Sequence, residues 1–438
     1  MKKLKFTQVL SISMMLFAIF FGAGNMIFPP AMGQLAGTNY LQALAGFVLT
    51  DAGIAILGII AVMLVGNSMS DLGNLVSKKF GMFLSISVYL LIGPLFALPR
   101  TGSVSFEIAL LPYVGNHSFW FSILFTGIFF LITYYLSSNP NKIVDVVGKY
   151  LTPVLLLSIA LIFIASFLNP NGTTDLVFGS IGSPQGEYAS IPFSKGMIEG
   201  YNALDGPAGL AFSVLVINAI QSYGIKERKD IAKYTVICGL GAAFFLTIVY
   251  FALTYVGAMS VTPFANGGSL LHAVTNHLFG GVGGIILGIT VLFACLTTSI
   301  GLTTSFSNYF QTICPKFTYK QIAAVVCIFS FIISNVGLSQ LITISLPILI
   351  MIYPVTVVLM LLSFLKKYIG NHKMVYILGM LFTLVVSFIN GMESAGVTLG
   401  FLSKACKMLP FYAYSLGWVV PAILGACLGF LPIWKKKM

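Results

Sequence analysis

The sequence predicts an all-α polytopic membrane protein of twelve transmembrane helices: two inverted halves of five spans, followed by two appended spans. Three observations predict it. First, of 438 residues 58% are hydrophobic and only 8% charged, with a mean hydropathy of +0.98. An average soluble domain is about 25% charged, so this chain lacks the polar groups to cover a soluble surface. Second, apolar runs of roughly 20 residues, the length that crosses a bilayer core, recur along the whole chain. Third, the first and sixth of these runs are interrupted near their middle.

The spans fall near residues 8–34, 40–66, 80–111, 118–138, 145–168, 192–220, 231–258, 282–312, 319–336, 340–365, 373–391 and 409–433. The leading MKKLKF and the apolar run after it have the look of a signal peptide. No A-x-A-like cleavage site follows, so the segment is read as the first span. An even number of spans puts both ends on one side. Lys2, Lys3 and Lys5 at one end and Lys435, Lys436 and Lys437 at the other share that side with Lys78, Lys79, Lys142, Lys149, Lys226, Arg228, Lys229, Lys233, Lys316, Lys320, Lys366, Lys367 and Lys373. The opposite connections carry only Lys195, Lys404 and Lys407. Basic loops stay in the cytoplasm, so both termini are expected there, in a cytoplasmic (inner) membrane. The net charge of +12 is then a matter of topology, and no nucleic-acid partner is expected.

The first span contains FFGAGNMIFPPAMG and the sixth SKGMIEGYNALDGPAGLAF. Gly22, Gly24, Asn25, Pro29 and Pro30 in one are poor helix formers, and Glu199, Gly200, Asn202, Asp205, Gly206, Pro207 and Gly209 interrupt the other near its middle. Non-helical backbone at membrane depth survives only inside protein or against a polar cavity. The half-helix after a break presents free N–H groups, which suit an anion. The half-helix before it presents carbonyls, which suit a cation. A glycine-rich packing face would explain the first stretch equally well. Interruptions at matching places in two halves point instead to the central site of a secondary transporter. Asp205 is expected to cap the second half-helix of span six, with Pro207 in its first turn.

FAIFFGAGNMIFPP, EGYNALDGPAGLAF and FACLTTSIGLTTSFSNYF closely resemble the bacterial branched-chain amino acid:cation symporters, the BrnQ-type carriers, along essentially the whole chain. The resemblance implies a leucine-transporter-like 5+5 inverted repeat and sodium-coupled import of leucine, isoleucine and valine. The chain is then one transporter domain, residues 1–438, with repeats near 8–168 and 192–365 and accessory helices near 373–433. Amides of Gly22, Ala23 and Gly24 would hold the substrate carboxylate, and carbonyls of Asn202, Ala203 and Leu204 its ammonium. An apolar pocket with residues of spans three and eight would take the side chain. Asn25 would cap the second half-helix or give its oxygen to a cation. The coupling ion, Na+, would lie between carbonyls of Ala18 and Phe21 and the A-x-x-[ST]-[ST] set Ala294, Thr297 and Thr298, which share one helix face. Ser299, Thr303 or Thr304 would replace them in a shifted register, and back-bonding of these hydroxyls to their own helix is the competing reading.

Ionisable residues inside spans default to functional candidates. Asp51 lies in span two, Arg100 and Glu107 in span three, and Glu199 and Asp205 beside the break in span six. Arg100 is expected to pair with Glu107 or Glu199, as a fixed ion pair, a gate or a substrate contact. Proton coupling through Asp51, Glu199 or Asp205 is the alternative to sodium, and a passive channel for small zwitterions the alternative from another class. An enzyme is not expected. Phosphate-loop, HExxH and nucleophile-elbow patterns are missing from the sequence, and His117, His272, His277 and His372 fall in or near loops. The six cysteines follow no metal-ligand spacing. No cofactor beyond the coupling ion and no obligate protein partner is expected, with the lipid bilayer as solvent.

Overall fold

The computed structural model describes residues 3–114, 118–139, 144–168, 176–370, 372–414 and 416–431. His117 and the terminal lysines Lys2, Lys435, Lys436 and Lys437 lie outside this set. Among the described residues the architecture is helical throughout, with one isolated antiparallel bridge, Phe178 to Ser260. Eight helices are long and apolar enough to span a membrane, and a bent pair, Pro192–Ala203 with Asp205–Ser222, makes a ninth. The shorter apolar helices Phe6–Phe20, Tyr319–Ser334 and Val419–Gly429 occupy the remaining expected spans.

Span one breaks where its glycines are. The first half-helix, Phe6–Phe20, closes with Phe21 N donating to Phe17 O at 2.7 Å. Gly22 is non-helical (φ −121°, ψ −150°), and Ala23–Ala36 forms the second half-helix. Span six breaks at Leu204, whose φ of 77° puts a leucine in the left-handed region, and its halves are inclined by 46°. This residue corrects one expectation. Leu204, not Asp205, stands at the cap position of the second half-helix, and Asp205 is its first residue with its side chain directed elsewhere.

Further departures from regular helix lie in spans expected to be continuous, among them a π-helical segment, Val144–Leu151, in span five. Span two passes through a π-helical turn, Leu49–Gly53, that contains Asp51. Span three kinks at Gly93 (φ −84°, ψ −121°) before Pro94. Proline lacks the N–H for the helix ladder and disfavours helical geometry in the residue before it.

Spans one, two, six and seven are joined by close backbone contacts. A Cβ on Gly33 would lie 2.0 Å from the Thr254 carbonyl oxygen, and one on Gly257 2.0 Å from that of Pro30. These two glycines thus let spans one and seven touch backbone to backbone. Gly46 and Gly196 do the same for spans two and six, with hypothetical Cβ atoms 2.0 Å from Phe193 O and 1.9 Å from Ala43 O.

The connections sort by end. At one end the Leu4 amide donates to the Tyr234 hydroxyl (3.1 Å) and Arg228 to the Leu64 carbonyl (3.4 Å). At the other, Gln185 N donates to Leu35 O (2.8 Å) and Thr38 N to Gly182 O (3.0 Å). There a short helix, Gly267–Phe279, capped by Asn266, lies against span one, with Gly267 closely approaching the Ile27 carbonyl. It carries His272, 2.9 Å from the Asn276 amide nitrogen, and His277, packed on Phe178.

Candidate functional site

The two breaks face each other. A Cβ on Gly24 would lie 3.0 Å from the Ala203 Cα and 3.2 Å from its carbonyl oxygen. The start of one half-helix therefore abuts the end of another. In span one the first bond of the second half-helix runs from Met26 N to Gly22 O (3.2 Å). The amides of Ala23, Gly24 and Asn25 precede that bond and have no place in the helical ladder. They border a cavity of ≈ 20 Å³ between the breaks. Its wall is completed by Ala97 and Thr101 of span three, Thr298 and Leu302 of span eight, and Ala208 and Phe212 of span six.

Asn25 sits beneath this wall, 1% exposed. Its side-chain oxygen accepts from Gly22 N (3.4 Å), reaching back to the backbone before the helix as the third residue of a capping box does. Its amide nitrogen lies 2.8 Å from Asp205 Oδ2 and 3.4 Å from Asp51 Oδ2, and it also donates to the Tyr250 hydroxyl. The structure thus gives the oxygen of Asn25 to the break itself. Asn25→Ala removes the acceptor of Gly22 N and the donor shared by Asp51 and Asp205, and is expected to lower transport about tenfold, equivalent to roughly 1.4 kcal/mol. Unchanged transport by the variant would show that the break does not depend on this side chain.

Arg100 does not meet the carboxylates expected of it. It is 2% exposed, and its guanidinium donates to the Asn202 carbonyl (2.7 Å) and to Ser345 Oγ (3.1 Å) and lies 5.8 Å from the centroid of the Phe28 ring. The reason is the break. The first half-helix of span six ends at Ala203, so its last carbonyls lack helical partners and form the negative end of a dipole. A buried cation satisfies that end. The Asn202 carbonyl is therefore engaged by Arg100, and Ala203 is left as the carbonyl nearest Gly24. Glu107 instead accepts from Leu338 N (3.3 Å) at the start of span ten, a carboxylate at a helix N-terminus. Glu199 accepts from the side chain of Asn202 (3.2 Å).

On the far side of the break, Ala18, Thr297, Thr298 and Ala294 converge. Ala18 O would be bonded to Gly22 N in an unbroken helix, but that amide has turned to Asn25. Thr297 Oγ1 donates to Ala18 O (2.8 Å) and to Ala294 O of its own helix (2.9 Å), and Thr298 Oγ1 lies 3.3 Å from Ala18 O. Back-bonding and cross-helix bonding thus coexist on one hydroxyl. Phe21 is fully buried, its ring stacked on Phe17 and tilted against Tyr250. Ser299 bonds to Thr133 and Thr303 to Cys327, away from span one.

Tyr250, Ser345, Phe212 and Ala97 were not legible as site residues. Each lies in an apolar run whose composition does not distinguish it from packing.

Comparison with known proteins decides the family. The family model for branched-chain amino acid transport proteins matches residues 5–436. The chain belongs to the branched-chain amino acid transport protein family. Among its relatives, the branched-chain amino acid permease BraB of Bacillus subtilis is 42% identical over 96% of this chain and 94% of its own. The permease BrnQ of the same organism is 39% identical over 100% and 99%, and the Escherichia coli BrnQ 33% identical over 99% and 97%. Family members are permeases, so the chain is a polytopic transporter and not an enzyme. Two solved transporters share the fold at 14% identity. MHP1, a nucleobase-cation-symport-1 family transporter in a closed conformation with bromovinylhydantoin bound, aligns with a TM-score of 0.64 over 98% of this chain and 92% of its own. MhsT in complex with L-phenylalanine aligns at 0.57 over 96% and 97%. The fold class is therefore that of the leucine-transporter type.

Proposed function

We propose that this family member is a sodium-coupled symporter that imports leucine, isoleucine and valine across the bacterial cytoplasmic membrane by alternating access. The observation that carries the reading is the meeting of the two breaks. One half-helix offers unpaired amides at Ala23 and Gly24 for a carboxylate, and a half-helix end at Ala203 offers a carbonyl for an ammonium. Ala97, Ala208, Phe212 and Leu302 supply apolar wall for a branched side chain. Because Arg100 occupies the Asn202 carbonyl, it serves as a positioning residue that fixes the break of span six. A cavity of ≈ 20 Å³ is about large enough for one water, so substrate binding requires the cavity to widen against its walls from spans three and eight.

Sodium, as cargo, fits the oxygen set around Ala18. The carbonyls of Ala18 and Ala294 and the hydroxyls of Thr297 and Thr298 are hard oxygen donors, the kind such a cation takes. The Phe21 carbonyl, at the same break, completes the proposed set. An ion there ties span one to span eight and favours one orientation of the carrier, so its coupling to substrate is a difference in affinity between states. In this reading the halves near 8–168 and 192–365 are inverted repeats with spans one and six as counterparts, and the basic connections support cytoplasmic termini.

Isoleucine uptake into proteoliposomes, with sodium and proton gradients imposed separately, tests the reading. Uptake driven by sodium alone supports it, and uptake indifferent to sodium overturns it. Thr297→Ala is expected to raise the half-saturating sodium concentration about tenfold, equivalent to roughly 1.4 kcal/mol. Thr298→Ala should act in the same direction and less strongly, in keeping with its longer contact. Wild-type sodium dependence in both variants would place the ion elsewhere.

A further inference from the structure

Two carboxylates at the site have no role in the transport reading above. Asp51, in the π-helical turn of span two, is 0% exposed, and Asp205, at the start of the second half-helix of span six, 5%. The Asn25 amide nitrogen reaches both, so the two carboxyl groups converge on one group. Asp51 Oδ1 is buried without a hydrogen-bond partner. The groups facing the pair are neutral. Asn25 comes from span one, and Tyr250, whose hydroxyl accepts from the Asn25 amide, comes from span seven. Tyr353 comes from span ten and donates to the Thr50 carbonyl beside Asp51, with the Tyr201 ring tilted against it. Arg100 is turned to Asn202 and Ser345. Lys195, near the start of span six, is paired with Glu187, and Lys407 with Glu393.

Two anions in contact in a low-dielectric interior repel, and one positive charge between them removes the repulsion. A carboxylic acid next to a carboxylate makes a strong hydrogen bond, and it supplies the donor that Asp51 Oδ1 lacks. The crowding argues for a proton as that charge, because the Asn25 amide already occupies one oxygen of each carboxylate and a proton adds no volume at the others.

We propose that Asp51 and Asp205 bind one proton between them, forming a proton site distinct from the oxygen set around Ala18. The proton passes between a carboxyl oxygen and water when the break opens, and no other bond changes. Its link to transport runs through Asn25, which touches both carboxylates and holds the Gly22 amide. Loss of the proton leaves two anions pulling on one amide group, which displaces Gly22 from the position in which substrate is bound.

Infrared spectroscopy of the purified full chain reads the pair directly. Wild type at neutral pH is expected to show a protonated-carboxyl stretch that disappears as pH is raised. Asp51→Asn and Asp205→Asn should each lack it, and Glu107→Gln and Glu199→Gln should keep it. A wild type without that band, or a band that survives in both Asn variants, overturns the proposal. If an Asn variant fails to reach the membrane, the wild-type band and its persistence in the two Gln variants decide alone. The transport link rests on the reading of the break as the substrate site and is tested by uptake. Wild-type isoleucine uptake under a fixed sodium gradient should fall roughly tenfold per pH unit beyond the titration of the pair. In Asp205→Asn, where a permanent amide replaces the proton, the profile should be flat, and identical profiles in the two proteins overturn the link. Uptake that follows pH as expected yet ignores sodium would sink the sodium reading and leave the proton site standing.

Discussion

Gly24→Val is expected to abolish isoleucine uptake while the protein still reaches the membrane. The first added atom, Cβ, would lie 3.0 Å from the Ala203 Cα, 3.2 Å from its carbonyl oxygen and 3.3 Å from Phe28 Cε2. Two of these three are backbone atoms at a break, which cannot rotate aside as a side-chain tip can. The two further methyl groups of valine enlarge the wedge. Overpacking of this kind costs about 1–3 kcal/mol in a core, little enough for the fold to persist. The same energy applied between the two half-helix ends, where binding needs positioning within a fraction of an ångström, should leave uptake below about 1% of wild type. Uptake normalised to the membrane content of the protein checks this. Normal transport by the variant would show that the break in span one does not hold the substrate. Gly24→Ala meets the same contacts without the extra methyls and should retain a measurable fraction.

Arg100→Ala should have an effect of similar size for a different reason. The guanidinium satisfies the Asn202 carbonyl and Ser345 in a place that water does not reach. Removing it leaves a buried carbonyl unpaired, a penalty of about 1–3 kcal/mol, and vacates the volume of a large side chain. The break of span six then loses the group that fixes its end, and uptake is expected to fall to background. Arg100→Lys keeps the charge but not the fork that reaches two acceptors at once, so partial uptake with weakened substrate affinity is the expected outcome. Unchanged kinetics in Arg100→Ala would remove Arg100 from the mechanism.

The broken spans were legible in the sequence because their cause is local. Glycine at Gly22 and Gly24 and the cluster around Asp205 and Pro207 disfavour helix wherever they occur. The Thr297–Ala18 meeting was legible as well, through residue spacing and family resemblance. What stayed hidden depends on which helices become neighbours. Glu107 and Glu199 were the natural partners for Arg100 by charge and helical spacing. Only the packed structure reveals that a half-helix end supplies an uncharged but equally suitable acceptor. Asp205 looked like a cap because caps are judged along the chain, whereas its carboxylate is claimed by Asn25 from another span. The kink at Gly93 had a local signal in the sequence, the Gly-Pro pair of LIGPLF. The surrounding apolar run is nevertheless long enough to read as one helix.

The paired glycines that bring spans one and seven, and spans two and six, backbone to backbone have a mechanical consequence. Side-chain contacts between helices are compliant, because rotamers can change while the axes slide. A contact between a glycine Cα and a carbonyl oxygen has no such freedom, and a pair of reciprocal contacts fixes both the spacing and the axial register. Gly33 with Gly257, and Gly46 with Gly196, therefore act as rivets rather than bearings. Asn25 of span one joins Asp51 of span two to Tyr250 of span seven, so the four helices make one stiff lever. A displacement imposed at the break of span one arrives at the break of span six undiminished. The compliance of the molecule is left to the side-chain seams against spans three and eight.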